Sequence, residues 1–223
     1  MIDRAVRRAG GAEAGAKSVR GTSSDALPEG SSTRDIAWAA VRARLSQVAF
    51  EVFLREGFDH VTVNAVSAAA GVSRSTFLRY FSSKEDAVLC AFDAEDEQAA
   101  AALRACPPEQ DDWTALRHAV TALLEPFRRS QQDFLPLARL VETTPALSAG
   151  RREKQIPWRD TLARALSERA GGASFATPPL SALVRASAAV ECMNIAVARW
   201  ATSDGREDLD ELLDASFAAL RVP

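Results

Sequence analysis

Between Thr62 and Phe81 the chain reads TVNAVSAAAGVSRSTFLRYF, and no other stretch limits its fold as strongly. Thr62 is a good cap for a short helix over 63–70, with Val63, Val66, Ala69 and Ala70 available for packing. Gly71 stops that helix, Ser73 caps the next, and the spacing predicts a helix over 74–80. The small residues Ala65, Ala68, Ala69 and Ala70 let two helices cross closely, and Val66, Val72 and Phe77 fill the space between them. This is the pattern of a helix-turn-helix, whose second helix enters the DNA major groove by its N-terminal end.

The rest of the chain follows the same helical period, with no convincing alternation of period two. A first helix is expected over 34–56, with Ile36, Ala40, Val41, Leu45, Val48, Ala49, Val52 and Phe53 on its apolar face and Gly57 at its end. A fourth helix is expected from Lys84 to about residue 104, behind a cap at Ser82 or Ser83. Further helices are expected over about 112–129, 131–143 with an interruption at Pro136, 151–170 with a kink at Pro157, 178–202 and 206–221. Residues 1–31 are rich in Gly, Ser, Ala and Arg without a hydrophobic period, so a disordered arm is expected there. The fold expected is all-α: a three-helix helix-turn-helix domain over 32–82, and a larger helical domain over 83–223.

Composition narrows the function classes. With 47% hydrophobic and 26% charged residues among 223, the chain reads as a soluble globular protein. No window approaches about 20 uninterrupted apolar residues, and no apolar core follows Arg4, Arg7 and Arg8, so neither a membrane span nor a secretory signal is expected. Cys90, Cys106 and Cys192 are scattered and lack CxxC spacing, which argues for a reducing cytoplasm and against disulfides or zinc. His60 and His118 are the two histidines, so a multi-histidine metal site is not expected. The sequence shows no Ser-His-Asp set, Gly-rich phosphate loop or Glu-x-x-His pair, so neither an enzyme nor a cofactor is expected.

The net charge of −3 hides an asymmetry. Residues 33–92 carry seven basic and six acidic side chains, whereas residues 93–223 carry 15 and 20. The helix-turn-helix is thus slightly basic and the remainder acidic. Sequence reading would therefore depend on a few placed groups rather than on a strong basic field.

Those groups are visible. Ser73, Arg74, Ser75 and Thr76 crowd the start of the second helix, where hydroxyls and backbone N–H groups can meet phosphate. Arg74 can reach either a guanine edge or a phosphate. Thr62 would sit on the other side of the groove, and Tyr80 and Lys84 could clamp the backbone. The same residues would also suit a capped helical hairpin with a solvated polar face.

The segment resembles the DNA-binding domain of the tetracycline-repressor (TetR) family. The resemblance rests on Phe53, Gly57-Phe58, Thr62-Val63, Val66, Ala70-Gly71-Val72-Ser73, Thr76-Phe77, Tyr80-Phe81 and Ser83-Lys84-Glu85, and covers about residues 36–92. It implies that Thr62, Ser73, Tyr80 and Lys84 hold phosphates, and that Arg74, Ser75, Thr76 and Arg79 face bases or nearby backbone. Leu78 stands where the family often has an aromatic, so its contact with DNA would differ. Ser67 replaces the usual Ala.

In the acidic half, Leu209, Leu212, Leu213, Phe217 and Leu220 form one stripe. The preceding helix is apolar nearly all round, with Leu180, Leu183, Val184, Val190, Met193, Ile195, Val197 and Trp200. Either a second protomer covers its outer side, or it is the central helix of a monomer. The resemblance implies a homodimer built on the last two helices, with Leu183, Val190, Val197, Leu209, Leu213 and Phe217 as interface residues. It also implies an effector pocket, for which Trp113, His118, Phe127, Phe134, Trp158 and Met193 are candidates. Arg139, Glu142 and Arg159 could supply polarity. The run from Phe92 to Leu116 is similar to an actinobacterial subgroup with acyl-CoA-like effectors. The function expected is a ligand-responsive regulator, a repressor holding an inverted-repeat operator in double-stranded DNA as a homodimer. An activator, or a helical adaptor without DNA binding, is the alternative.

Overall fold

The structure, a computed structural model, describes residues 32–93, 96–128, 131–171 and 177–221. The arm expected over 1–31 lies outside the described residues. Every regular element among the described residues is helical, as the period required. The described residues divide between two units, with the boundary between Trp38 and Ala39. The first contributes Ser32–Trp38 to the described residues; there Ser32 and Asp35 exchange side-chain to backbone hydrogen bonds at the helix start.

Helix α1 spans Thr33–Glu56 and buries Leu45, Ala49, Val52 and Phe53, one face at helical spacing. Gly57, at φ 83°, turns the chain into a short 3-10 turn, Phe58–His60, whose Phe58 ring lies 4.9 Å from that of Phe53. Helix α2, Val63–Ala69, and helix α3, Arg74–Tyr80, meet across Gly71 at φ 69°. Val66 and Phe77 are fully buried, and Phe77 lies 5.2 Å from Phe81. Truncating a ring buried like this costs about 3–5 kcal/mol.

Helix α4 is Lys84–Leu89, capped by Ser83, and it stops far short of residue 104. The continuous helix expected there is broken: a 3-10 turn, Cys90–Phe92, leads to an extended Asp93, and α5 begins afresh at Asp96–Ala105. Ion pairs hold the extended residue at the break. At Asp93 the carboxylate accepts a 2.7 Å hydrogen bond from Arg42 on α1 and pairs with Lys154.

Six more helices follow among the described residues: α6 Asp112–Arg128, α7 Gln131–Thr143, α8 Pro145–Lys154, α9 Ile156–Arg169, α10 Leu180–Thr202 and α11 Leu209–Ala218. The expected interruption at Pro136 is absent, since α7 runs through it. The helix expected over 151–170 proves to be two. Pro145 and Pro157 each sit in a first turn, where the missing N–H costs nothing, and Gln155 is the junction. Helix α10 is the hub, packed against α6, α7, α9 and α11, while α8 bridges α7 and α4. Among the described residues, α10 is the one helix with the length and mean hydropathy (1.4) to cross a membrane, but half of that window is buried inside the protein.

At the α4–α8 crossing Gly150 permits a close approach: a Cβ there would stand 2.5 Å from Leu89 Cδ1. Leu89 is itself buried, so its side chain fills the crossing against the α8 backbone.

Candidate nucleic-acid interface and effector cavity

The polar face of the helix-turn-helix is built by the caps of α2 and α3. Thr62 Oγ1 accepts from Ala65 N at 3.2 Å, and Ser73 Oγ accepts from Thr76 N at 3.0 Å. Ser73 Oγ also lies 2.9 Å from both Ser75 Oγ and Thr76 Oγ1, so three hydroxyls cluster at one helix start. Thr62, Ser73, Arg74, Ser75, Leu78 and Arg79 are exposed, while Thr76, Tyr80 and Lys84 are half-buried. Arg74 Nη1 donates to Asn64 Oδ1 at 3.1 Å, and the Arg79 guanidinium lies over the Tyr80 ring at 5.3 Å. Asn64, absent from the sequence-based set, therefore steers Arg74 from α2.

Lys84 sits differently from the outward phosphate clamp that the motif suggested. Its Nζ donates to Phe58 O at 2.7 Å and to Val61 O at 3.2 Å, and lies 4.3 Å from the Phe58 ring centre. It ties the start of α4 to the turn after α1. Next to it, Arg42 and Lys154 face Asp86 and Asp93, at 3.9 and 3.7 Å to Asp86. Burial works against the Arg42 charge, but the hydrogen bond to Asp93 and the surrounding carboxylates outweigh it and raise its pKa. Burial likewise pushes the Cys90 thiol up, against a hydrogen bond with Ser46.

The effector candidates separate. Phe134, Trp158 and Met193 line one cavity, together with Leu123, Leu124 and Val197. Trp113 is elsewhere: its Nε1 donates to Phe217 O at 2.8 Å and its ring lies 4.7 Å from Phe217, tying α6 to α11. His118 is exposed, with Nδ1 3.5 Å from Cys106 Sγ. The side chain of Phe127 lies outside the described residues. Arg139 pairs with Asp204, and Arg159 has a buried Nε without a hydrogen-bond partner.

The three polar residues of the cavity wall, Arg151, Gln155 and Asn194, escaped sequence reading. Arg151 is 5% exposed and pairs with Glu142 at 2.7 Å. Gln155 and Asn194 exchange two amide hydrogen bonds, at 2.8 and 3.0 Å. The available signals were the i, i+4 spacing of Arg151 and Gln155 and the lone amide of Asn194 inside an apolar helix. The cavity volume is only about 20 Å³, near that of a single water and far below the roughly 300 Å³ at which drug-sized pockets begin.

The residues assigned from sequence to a dimer interface are largely covered within one chain. Val190, Val197, Leu209, Leu213 and Phe217 are buried and Leu183 is half-buried, because α10 and α11 pack on each other and on α6. Leu180, Val184 and Ile195 are the apolar residues that α10 leaves exposed. At 3.6 residues per turn they fall within about 60° of one another.

Comparison with known proteins decides the family. The bacterial regulatory protein tetR family model matches residues 45–89, and the MftR C-terminal domain model matches residues 110–223, more than half the chain. This chain belongs to the TetR family. The HTH-type transcriptional regulator TcmR of Streptomyces glaucescens is 32% identical over 155 residues, 67% of this chain and 69% of that protein. The regulator MftR of Mycobacterium tuberculosis is 30% identical over 132 residues, 57% and 65% of the two chains. Among solved structures, Thermus thermophilus FadR in complex with lauroyl-CoA is similar at TM-score 0.51 and 26% identity, covering 80% of this chain and 92% of that one. As a TetR-family member the protein is a ligand-responsive DNA-binding regulator and not an enzyme. Among the described residues no group of three His, Cys, Asp or Glu side chains could hold a metal ion.

Proposed function

We propose that the protein is a cytoplasmic repressor that holds an inverted-repeat operator as a homodimer and releases it when a small apolar or amphipathic effector opens the cavity. A reading head over 32–82 presents Arg74, Ser75, Thr76, Leu78 and Arg79 to the major groove, with Thr62, Ser73 and Tyr80 toward phosphates. Lys84 acts in this reading by positioning the head. A sensing and dimerising body occupies 83–223, and the exposed α10 stripe of Leu180, Val184 and Ile195 is the proposed dimer face.

One observation carries the release mechanism. Helix α8 and its terminal junction hold Arg151 and Gln155 in the cavity wall, and also Lys154, which pairs with Asp93 beside α4. A ligand that displaces α8 thus acts on the helix that follows the reading head. Two recognition helices related by a two-fold axis fit half-sites about one DNA turn apart, or a multiple of it, so a small change in their separation weakens both contacts together. That T. thermophilus FadR holds lauroyl-CoA supports an amphipathic effector.

The test is selection of genomic fragments on the purified protein, then gel shifts across salt concentration. Sequence-specific, salt-sensitive binding of an inverted repeat is expected. Dimerisation without binding to any selected fragment would instead favour a helical adaptor.

A further inference from the structure

The cavity is apolar except at one end, and that end is unfinished. Arg151 forms its ion pair with Glu142 at 2.7 Å in a geometry that is not a hydrogen bond: Arg151 Nε and Glu142 Oε1 are both buried without hydrogen-bond partners. Buried polar groups are almost always paired, and a half-satisfied buried pair is costly. The neighbouring amides offer no relief, since Gln155 and Asn194 satisfy each other and Asn194 Nδ2 also donates to Glu191 Oε2 at 3.2 Å.

Charge then decides what the site wants. Arg151 and Glu142 already neutralise one another, so a second carboxylate would be desolvated beside a cation that is taken. A neutral acceptor oxygen loses far less on leaving water and can still take the Arg151 N–H. The surroundings, Phe134, Trp158 and Met193, accept hydrocarbon, and Met193 is the side chain best able to repack as the cavity opens.

We infer that this cavity takes an apolar molecule carrying a neutral carbonyl-type oxygen, held by Arg151, and rejects the corresponding free carboxylate. The inference rests on the body being an effector site. Rejection follows from Glu142, which fills the charge requirement of Arg151 from within the chain.

The test uses two probes of nearly the same shape, 2-nonanone and octanoate, titrated calorimetrically into the full-length protein. The ketone should bind at least about tenfold more tightly, the scale of one charge-assisted hydrogen bond. Glu142→Gln should shift that ratio toward octanoate by at least about tenfold, because Arg151 is then unpaired. The double change Glu142→Met with Arg151→Met, which replaces a buried pair by apolar volume and should keep the fold, should weaken the ketone about tenfold and abolish the preference. Equal or tighter binding of octanoate to the unaltered protein overturns the inference, as does a ratio unmoved in both variants, or no binding of either probe. Gel shifts without probe, on the same preparations, separate this from the regulator reading. Operator binding with neither probe bound defeats the ligand assignment alone; ketone binding without operator binding defeats the DNA-binding reading alone.

Discussion

Lys84 Nζ donates a 2.7 Å hydrogen bond to the carbonyl oxygen of Phe58, twenty-six residues earlier in the chain. A cation placed this way stabilises the reading head from inside. Replacing it with Met should cost about 1.5–3 kcal/mol, the range for hydrogen bonds to a charged group. Urea denaturation checks this. A pure phosphate contact would leave stability untouched and reduce the salt slope of DNA binding by about one unit instead.

The α10 stripe gives a prediction about assembly. Val184→Asp combined with Ile195→Asp places two charges where 57% and 55% exposed apolar side chains now stand. Sedimentation should show monomers with unchanged helical circular dichroism, since neither side chain belongs to the buried core. Operator affinity should fall by about 10²–10⁴, the usual gain from joining two binding events. A variant that still sediments as a dimer would rule out this face.

Asp93 is the meeting point of Arg42 and Lys154. With side chains 26–34% exposed, the pairs are worth only about 0.2–1 kcal/mol each. Asp93→Asn should therefore lower the urea midpoint modestly at low ionic strength. The difference should shrink toward zero in 1 M salt, where screening acts within about 3 Å.

Asp111 caps α6, accepting from Trp113 N and Thr114 N at 3.1 and 3.0 Å and from Thr114 Oγ1 at 2.6 Å. The Thr114 side-chain and backbone hydrogen bonds, with Arg221 nearby, hold its carboxyl below the ordinary value of 3.8. The folded state thus binds this proton less readily than the unfolded one. The stabilisation is complete above about pH 4 and is lost as pH falls through the folded value. Asp111→Ala should cost about 0.5–2 kcal/mol at pH 7. Stability curves of the two proteins should converge on acidification.

The helix-turn-helix was legible because its signals are local: Gly57 and Gly71 at positive φ, and caps at Thr62, Ser73 and Ser83. Three-dimensional pairing was not legible. Nothing in the local pattern of 84–104 reveals that Asp93 will meet Arg42 fifty-one positions away, so the break there was invisible. The same holds for Lys84, whose acceptors are carbonyls that every residue carries. At α10, apolar period alone could not say which residues face α11 and which face outward. Three of the six residues proposed for a pocket, Phe134, Trp158 and Met193, line one cavity, because large apolar side chains gather around any cavity. Its polar end was missed because Arg151 looks like an ordinary surface arginine until its burial is known.

Gly150 has a mechanical consequence. Gly150 puts no side chain of its own between α8 and the buried Leu89 methyl, so a movement of α8 reaches α4 through that one side chain. One added methyl would behave like a shim wedged into a tight joint. Gly150→Ala should hold the two helices slightly apart without any ligand, and so produce a regulator that is already partly released from its operator.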